Sequence, residues 1–213
     1  MPPSPVIISR HPLIADKLLR LRDKETPPAE FRRLIRQLAQ LLFVEATSDL
    51  ETKPTSVRTP LAECPGIRLA SRIGFVPILR AGMGMAEAML ELVPDSSVWH
   101  IGVARNHETL QPEVYYERFS KLPPNLDIAF VLDPMLATGG SAIEAVARVK
   151  EWGVKKIRFI GLIAANEGIK ALQKAHPKVP VYLGAIDSHL SEKGYIIPGL
   201  GDAGDREFGS ISE

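Results

Sequence analysis

Short apolar runs that alternate with helical segments constrain the fold of this chain more than any other feature of its sequence. From residue 72 onward there are five such runs: Arg72–Leu79, Val98–Ala104, Asp127–Leu132, Lys156–Ala164 and Val181–Ile186. A run that is apolar at nearly every position, rather than at alternate positions, is typical of a strand covered on both faces. The sequence therefore predicts an α/β fold, with a parallel sheet, right-handed crossovers and helices on both faces.

The periodicity predicts two N-terminal helices, over residues 11–22 and 28–44. In the second, apolar residues recur three and four positions apart and share one face: Phe31, Leu34, Ile35, Leu38, Leu41 and Leu42. Further helices are predicted between the apolar runs, over Met85–Leu92, Ala142–Trp152 and Glu167–Ala175. Because no linker or internal repeat interrupts the pattern, a single domain over residues 1–213 is predicted.

Charge balance and cysteine content narrow the classes of function. The chain has 26 Lys and Arg residues and 25 Asp and Glu residues, which gives a net charge of +1. This balance lacks the excess of positive charge that is typical of proteins that bind nucleic acid or an anionic membrane. No apolar run reaches the ~18 residues that a spanning helix needs, and the N-terminus lacks a signal-peptide pattern. Cys64 is the single cysteine, which excludes an internal disulfide and favours a reducing compartment. We therefore expect a cytoplasmic protein with no membrane or nucleic-acid partner.

The strongest local motif is Val131–Ser141 (VLDPMLATGGS), where a buried strand ends in Asp133 and a loop of small residues opens a helix. Two glycines let the backbone approach a ligand, and a threonine and a serine add hydroxyl donors. The N–H groups and the dipole at the helix start favour a bound phosphate. The alternative is an ordinary tight turn in which Ser141 or Thr138 serves as the helix N-cap.

A second glycine-rich segment, Ile196–Arg206 (IIPGLGDAGDR), satisfies the Gly-x-Gly-x-x-Gly pattern of dinucleotide-binding loops. Only nine residues follow its last glycine, so the helix and second strand of such a unit are missing. The segment instead predicts a loop whose backbone groups face a flat ligand, flanked by the carboxylates of Asp202 and Asp205. The alternative is a flexible tail.

Arginines follow two apolar runs at corresponding positions, Arg80 after the first run and Arg105 after the second. Because the carboxyl ends of parallel strands share one edge of a sheet, we expect both guanidinium groups at a ligand site, where they suit phosphate oxygens. The polar stretch between Asn106 and Leu122 predicts a β-hairpin arm, which is either an ordinary surface hairpin or a catalytic lid.

The segments Phe75–Met85, Val131–Ser141 and Gly194–Gly209 resemble the signature segments of the uracil phosphoribosyltransferases. The resemblance implies a phosphoribosyltransferase-type parallel sheet flanked by helices, with a β-hairpin arm and a small base-binding hood formed by terminal segments. It also implies an enzyme of pyrimidine salvage. The phosphoribosyl group of 5-phosphoribosyl 1-diphosphate (PRPP) would pass to uracil, giving UMP and diphosphate, with Mg²⁺ as cofactor.

The resemblance also implies roles for individual residues. The catalytic residues would be Arg80, Arg105 and Asp202, with both arginines on the diphosphate. PRPP would contact these three and the loop residues Asp133, Pro134, Met135, Leu136, Ala137, Thr138, Gly139, Gly140 and Ser141. Uracil would contact Ile196, Gly201, Asp202 and Ala203. Pro134 stands where the wider superfamily often has a second acid, so Mg²⁺ is expected at Asp202, directly or through water.

Two other functions stay open at this point: a purine phosphoribosyltransferase, and a nucleotide-sensing RNA-binding regulator on the same fold. The glycine-rich residues 199–204 argue against the first, and the net charge of +1 argues against the second. The partners that the resemblance implies are uracil and PRPP, GTP as a candidate effector, and further copies of the chain in a homodimer or higher homo-oligomer.

Overall fold

The computed structural model describes residues 4–105, 112–117 and 126–210. Its elements follow in the order β1 (Val6–Ile8), α1 (Pro12–Arg22), α2 (Pro28–Ala46), β2 (Thr52–Arg58), β3 (Glu63–Leu69), β4 (Ile73–Leu79), α3 (Met83–Leu90), β5 (Ser97–Val98), β6 (Ile101–Arg105), β7 (Pro112–Glu117), β8 (Ile128–Leu132), β9 (Met135–Leu136), α4 (Gly140–Glu151), β10 (Lys156–Ala165), α5 (Asn166–Ala175), β11 (Val181–Asp187), β12 (His189–Leu190), β13 (Ile196–Ile197) and α6 (Ala203–Phe208).

A mostly parallel sheet of nine strands forms the centre of the molecule. Its order is β1-β11-β10-β8-β4-β6-β7, with β5 beside β4 and β9 beside β10. Within this sheet the described pairings are parallel, apart from the antiparallel pair β6 and β7. The predicted α/β fold is confirmed. The loops that follow β4, β8 and β11 consequently lie at one edge of the sheet.

Four of the five apolar runs form single strands (β4, β8, β10 and β11), as predicted, whereas the run Val98–Ala104 is divided between β5 and β6. Strand β8 is buried at every position, and β4 at every position except its last residue, Leu79. Successive side chains point to opposite faces, so Phe75 packs with α1, α2 and α3 whereas Val76 packs with α4. On the first face the rings of Phe43, Phe75 and Phe130 make edge and tilted contacts. A hydrophobic core therefore lies on each face of the sheet.

Some boundaries differ from the predictions, and several elements were not predicted: β1, β2, β3, β9, β12, β13 and α6. Helices α3 and α4 each begin two residues earlier than predicted, because the added residues, Met83–Gly84 and Gly140–Ser141, each include a glycine and do not extend the apolar periodicity. The antiparallel hairpin of β2 and β3 was missed; its residues are exposed, apart from the half-buried Thr55, so burial gives no pattern. We call this hairpin, residues 52–69, the exposed arm.

The predicted arm within residues 106–122 is only partly described. Strand β7 pairs antiparallel with β6, as a hairpin requires, while residues 106–111 and 118–122 lie outside the described residues. Within the described residues, no helix combines the length and apolar character needed to cross a membrane.

Candidate active site

The loop after β8 is fixed by hydrogen bonds to β10. Met135 and Leu136 pair with that strand in parallel. The carbonyl oxygen of Pro134 accepts hydrogen bonds from the amides of Leu162 and Ile163, each at 3.0 Å. This segment, which we call the 133–139 loop, therefore has a defined conformation although small residues make up most of its second half.

Gly139 is the N-cap residue of α4 and has a φ of 87°, in the left-handed region that favours glycine. A Cβ at this position would lie 2.9 Å from the carbonyl oxygen of Gly168 in α5, so α5 packs on the loop at a distance that only glycine allows. Because the N-cap residue is a glycine, no N-cap side chain engages the first amides of α4. The alternative in which Ser141 or Thr138 is an ordinary N-cap is wrong, and the helix start has the character of an anion site.

Asp133 follows β8 and lies half-buried at the base of this loop. Burial raises the pKa of Asp133 to about 7; a hydrogen bond from the Met135 amide at 3.2 Å opposes the shift, and the negative charge of Asp202 adds to it. The carboxyl groups of Asp133 and Asp202 are therefore close enough to interact. The loop after β8 and the C-terminal glycine-rich segment meet at this point.

Arg80 follows β4, and its side chain reaches the C-terminal segment. Its Nη2 atom lies 2.8 Å from Oδ1 of Asp205, and its Nη1 atom donates to Oγ of Ser210 at 3.1 Å. The peptide bond between Leu79 and Arg80 is cis. The Arg80 side chain is 54% exposed, so its guanidinium is accessible to an anionic ligand.

Arg105 is the last residue of β6. Since Gly102 of this strand is paired with Leu79 of β4, the backbone of Arg105 ends at the same edge of the sheet as Arg80. The side chain of Arg105 lies outside the described part of the chain, as do residues 106–111. Its assignment to the diphosphate therefore stays a prediction.

The C-terminal segment forms a tight turn followed by α6. We call residues 199–203 the base loop. Ile196, which precedes it, and Ala203, which ends it, are buried, whereas Gly201 and Asp202 are exposed. Asp202 is the N-cap of α6, since its Oδ1 atom accepts a hydrogen bond from the Asp205 amide at 2.9 Å. The flexible-tail alternative is therefore wrong for these residues.

An ion pair that the sequence did not predict, between the half-buried Arg22 and the buried Asp187, contacts the base loop at Gly199. The guanidinium of Arg22 donates two hydrogen bonds to the carboxylate of Asp187, at 2.6 and 2.7 Å. Arg22 also donates to the carbonyl oxygen of Gly199 at 2.7 Å, and Asp187 accepts from the Gly199 amide at 2.9 Å. One signal was available, because Asp187 ends an apolar run much as Asp133 does.

Taken together, the 133–139 loop, Arg80 and the base loop converge at the carboxyl edge of the sheet. An open helix start and a guanidinium suit two separate anionic groups, and a turn of exposed backbone groups suits a neutral planar one.

Within residues 4–105, 112–117 and 126–210, no cluster of three or more His, Cys, Asp or Glu side chains could hold a metal ion. Asp133 and Asp202 supply two carboxylates, and Mg²⁺ is commonly bound by one or two carboxylates plus substrate phosphates.

Comparison with known proteins identifies the family of the chain. A family model described as uracil phosphoribosyltransferase matches residues 8–210. The uracil phosphoribosyltransferase of Roseiflexus castenholzii is 55% identical over 207 residues, which cover 96% of this chain and 98% of that protein. The uracil phosphoribosyltransferase of Rhizobium meliloti is 51% identical over 208 residues, with 96% and 98% covered. Among solved structures, the AQ2163 protein from Aquifex aeolicus matches with a TM-score of 0.91 and 36% identity, over 98% of this chain and 100% of that one.

Proposed function

Because the chain belongs to the uracil phosphoribosyltransferase family, we propose that it transfers the phosphoribosyl group of PRPP to N1 of uracil, giving UMP and diphosphate in pyrimidine salvage. One observation carries the assignment to this site, the convergence of three segments. Arg80 Nη2 lies 2.8 Å from Oδ1 of Asp205, on the helix that follows the base loop, and the charge of Asp202 in the base loop acts on Asp133 in the 133–139 loop. The relatives are described as uracil phosphoribosyltransferases, which favours neither a purine phosphoribosyltransferase nor an RNA-binding regulator.

PRPP occupies the side of the site formed by the 133–139 loop. The 5-phosphate lies at the start of α4, where backbone amides and hydroxyl groups of Thr138 to Ser141 donate to it. Residues 134–137 form the wall of the loop beside the ribose. Asp133, once ionised, accepts hydrogen bonds from the ribose hydroxyl groups. Arg80 and Arg105 bind the diphosphate at the other end of the donor.

These residues act mainly by electrostatic stabilisation of the reacting groups rather than by proton transfer. As the bond between ribose C1 and diphosphate breaks, positive charge develops on the ribose ring and negative charge on the leaving group. Arg80 and Arg105 stabilise that negative charge, while the α4 amides hold the 5-phosphate in place. The Arg80 guanidinium leaves Asp205 to make this contact.

Uracil is recognised by backbone groups near Ile196 and over Gly201 to Ala203. The edge of uracil carries two carbonyl oxygens and an N–H group, which amides and carbonyl groups can match without a charged side chain. Cytosine would place an amino donor where the site expects an acceptor. A site built from hydrogen bonds discriminates against such an analogue by roughly 10⁴-fold or more.

Mg²⁺ fits the carboxylates that are present. Asp202 would hold it, directly or through water, and the ion would neutralise charge on the diphosphate. One oxygen of Asp202 already caps α6, so the other oxygen would be the one available to the ion. The Asp202→Asn variant keeps the cap and removes the charge. It should therefore need more Mg²⁺ for half-maximal activity, with a melting temperature close to that of the wild type.

We further propose that the chain forms a homodimer or higher homo-oligomer through the exposed arm. The arm displays Val57, Leu61, Ile67 and Leu69, with Leu61 96% exposed. A two-stranded hairpin is marginal in water by itself, so burial of these side chains against a second copy would stabilise it. Sedimentation equilibrium tests this, since Leu61→Asp with Ile67→Asp should lower the mass towards that of one chain.

We propose that the protein works in the cytoplasm. Cys64 is free and exposed on the arm, which suits the reducing cytoplasm. GTP as an effector rests on the family resemblance.

Product analysis tests the proposed function. The purified chain is incubated with PRPP, Mg²⁺ and ¹⁵N-labelled uracil, and the nucleotides are separated and identified by mass spectrometry. We expect labelled UMP, in an amount equal to the diphosphate released and greatly reduced by excess chelator. Absence of labelled UMP under conditions where the chain stays folded contradicts the proposal.

A further inference from the structure

Glu207 is on α6, the helix that follows the base loop, and it packs against α3, the helix that follows Arg80. The base loop leads into α6, and Arg80 leads into α3. Both helices pack against α2. Glu207, on α6, is 2% exposed, and its carboxyl group packs against Gly84 in the first turn of α3. A Cβ at Gly84 would lie 2.0 Å from Oε1 of Glu207, so this contact exists only because residue 84 has no side chain.

The carboxyl group lacks the partners that a buried anion needs. Its Oε2 atom has no hydrogen-bond partner among the described residues. Arg32, from α2, donates at 2.7 Å to the backbone carbonyl oxygen of Glu207. Arg36, also from α2, pairs with Glu87 and Glu91 of the α3 segment. An ionised carboxylate without such partners is costly in this position, whereas a neutral carboxyl group is tolerated more easily.

The surrounding charges act in both directions. Burial raises the pKa of Glu207 to about 7, with the negative charge of Glu87 adding to the shift and the positive charges of Arg32 and Arg36 opposing it. Glu207 lines a small cavity together with Arg33 of α2, and Arg33 is paired with Glu30. On α6 itself, Asp205 is paired with Arg80.

We propose that Glu207 is a positioning residue whose neutral carboxyl group keeps the base loop in register with Arg80. The proposal rests on the proposed function, because it concerns where uracil and PRPP bind. When Glu207 ionises, the carboxylate draws water or a guanidinium towards itself, and α6 shifts against α3. Because the base loop is continuous with α6, uracil binding weakens, whereas the 5-phosphate site on α4 is unaffected.

The test is the pH dependence of KM for uracil between pH 5.5 and 8.5, below the range in which uracil itself ionises. In the wild type, KM for uracil should rise about tenfold from pH 6.5 to 8.5, because a group with a pKa near 7 passes from mostly neutral to mostly ionised over this range. The change in kcat should be much smaller. Glu207→Gln imitates the neutral form, so its KM should vary less than about twofold.

Two further variants separate this role from a merely structural one. Glu87→Gln removes the negative charge that adds to the raised pKa of Glu207, so the midpoint of the dependence of KM on pH should move to lower pH. Glu151→Gln is the matched control, since Glu151 is exposed on α4 with its side chain 64% accessible. This control should reproduce the wild-type profile. A purely structural role for Glu207 would lower the melting temperature of Glu207→Gln and leave its KM profile parallel to that of the wild type.

A ¹³C NMR titration of the glutamate carboxyl groups, with Glu207→Gln for assignment, measures the ionisation without any assay of activity. A carboxyl signal that titrates near pH 7 and is missing in the variant supports the proposal. Titration near the ordinary glutamate value overturns it, as does a Glu207→Gln profile that superimposes on that of the wild type. If the wild type consumes no uracil at any pH, the proposed function fails, whereas the NMR result still shows whether Glu207 ionises as inferred.

Discussion

The guanidinium of Arg80 lies 2.8 Å from Oδ1 of Asp205, which links the end of β4 to the helix that follows the base loop. Ser210 completes this contact by donating from its Oγ atom to the same Asp205 oxygen at 2.9 Å. Because more than half of the Arg80 side chain is exposed, the pair stabilises the fold by less than about 1 kcal/mol. A multiply charged diphosphate can therefore take the guanidinium from Asp205 at little cost.

Arg80→Ala should lower kcat/KM for PRPP by at least about 100-fold, because the guanidinium stabilises charge that develops on the leaving group. The free energy of unfolding should change by less than about 1 kcal/mol. Steady-state kinetics and chemical denaturation measure the two quantities. Arg80→Lys is the matched control, and it should recover only part of the loss because an ammonium group lacks the planar fork. Unchanged kinetics in Arg80→Ala would remove this residue from the diphosphate site.

Gly139 and Gly140 should respond differently to a side chain. Gly139 has a φ of 87° and packs on Gly168, so Gly139→Ala should destabilise the protein by about 1–3 kcal/mol. Gly140 is the first helical residue of α4, so Gly140→Val should leave the protein folded and weaken PRPP binding by at least about tenfold, because the side chain fills the space of the 5-phosphate. Melting curves and calorimetric titration with PRPP check both. Wild-type affinity in a folded Gly140→Val protein would refute the phosphate site.

The Arg22–Asp187 pair should matter for uracil more than for PRPP, since both residues hold Gly199. Asp187→Asn leaves a partly buried guanidinium without its counter-charge, so we expect a loss of at most about 3 kcal/mol in the free energy of unfolding. KM for uracil should rise several-fold while KM for PRPP changes less. Arg20→Gln serves as a control, because Arg20 is an exposed neighbour on α1 that pairs with Glu30. Equal changes in both KM values would contradict a specific role in the base loop.

Asp133 gives the site a pH dependence of its own. Because burial raises the pKa of Asp133 to about 7, the ionised form that accepts from the ribose is lost as the pH falls below 7, and KM for PRPP should rise. The effect on stability has the opposite direction. A folded pKa above the unfolded value of about 3.9 means that this contribution to stability is complete below pH 4 and is lost as the pH rises to 7, by a few kcal/mol at most.

Asp133→Asn checks both parts of this prediction. In the variant, KM for PRPP should no longer rise as the pH falls below 7. The variant should also bind PRPP more weakly than the wild type at pH 8. Its free energy of unfolding should depend less on pH between 4 and 7 than that of the wild type. If KM for PRPP in the variant still rises below pH 7 as it does in the wild type, another group is responsible.

Local sequence patterns predicted those parts of the site that are formed by residues adjacent to one another in the sequence. A buried strand, a carboxylate and a run of small residues before a helix are contiguous, so the 133–139 loop could be placed from the sequence. The exposed edge position of Arg80 followed from the same strand pattern. Strand burial on both faces was also visible, because it requires apolar residues at successive positions.

Contacts between distant segments could not be predicted in this way. Arg22 and Asp187 are on different elements, and nothing in either neighbourhood specifies that they share Gly199. Glu207 reads as an ordinary surface residue of a short polar helix, and only its packing on Gly84 shows that it is buried. The exposed arm was missed because solvent covers both of its faces and no hydrophobic alternation results.

The most direct test of the account is a comparison of kcat/KM for four bases, measured by diphosphate release with PRPP and Mg²⁺: uracil, cytosine, hypoxanthine and guanine. We predict turnover of uracil that exceeds that of each other base by roughly 10⁴-fold or more, since the base loop recognises the uracil edge through hydrogen bonds. Turnover of hypoxanthine or guanine at a rate comparable to that of uracil, or no turnover of uracil by folded protein, would contradict it.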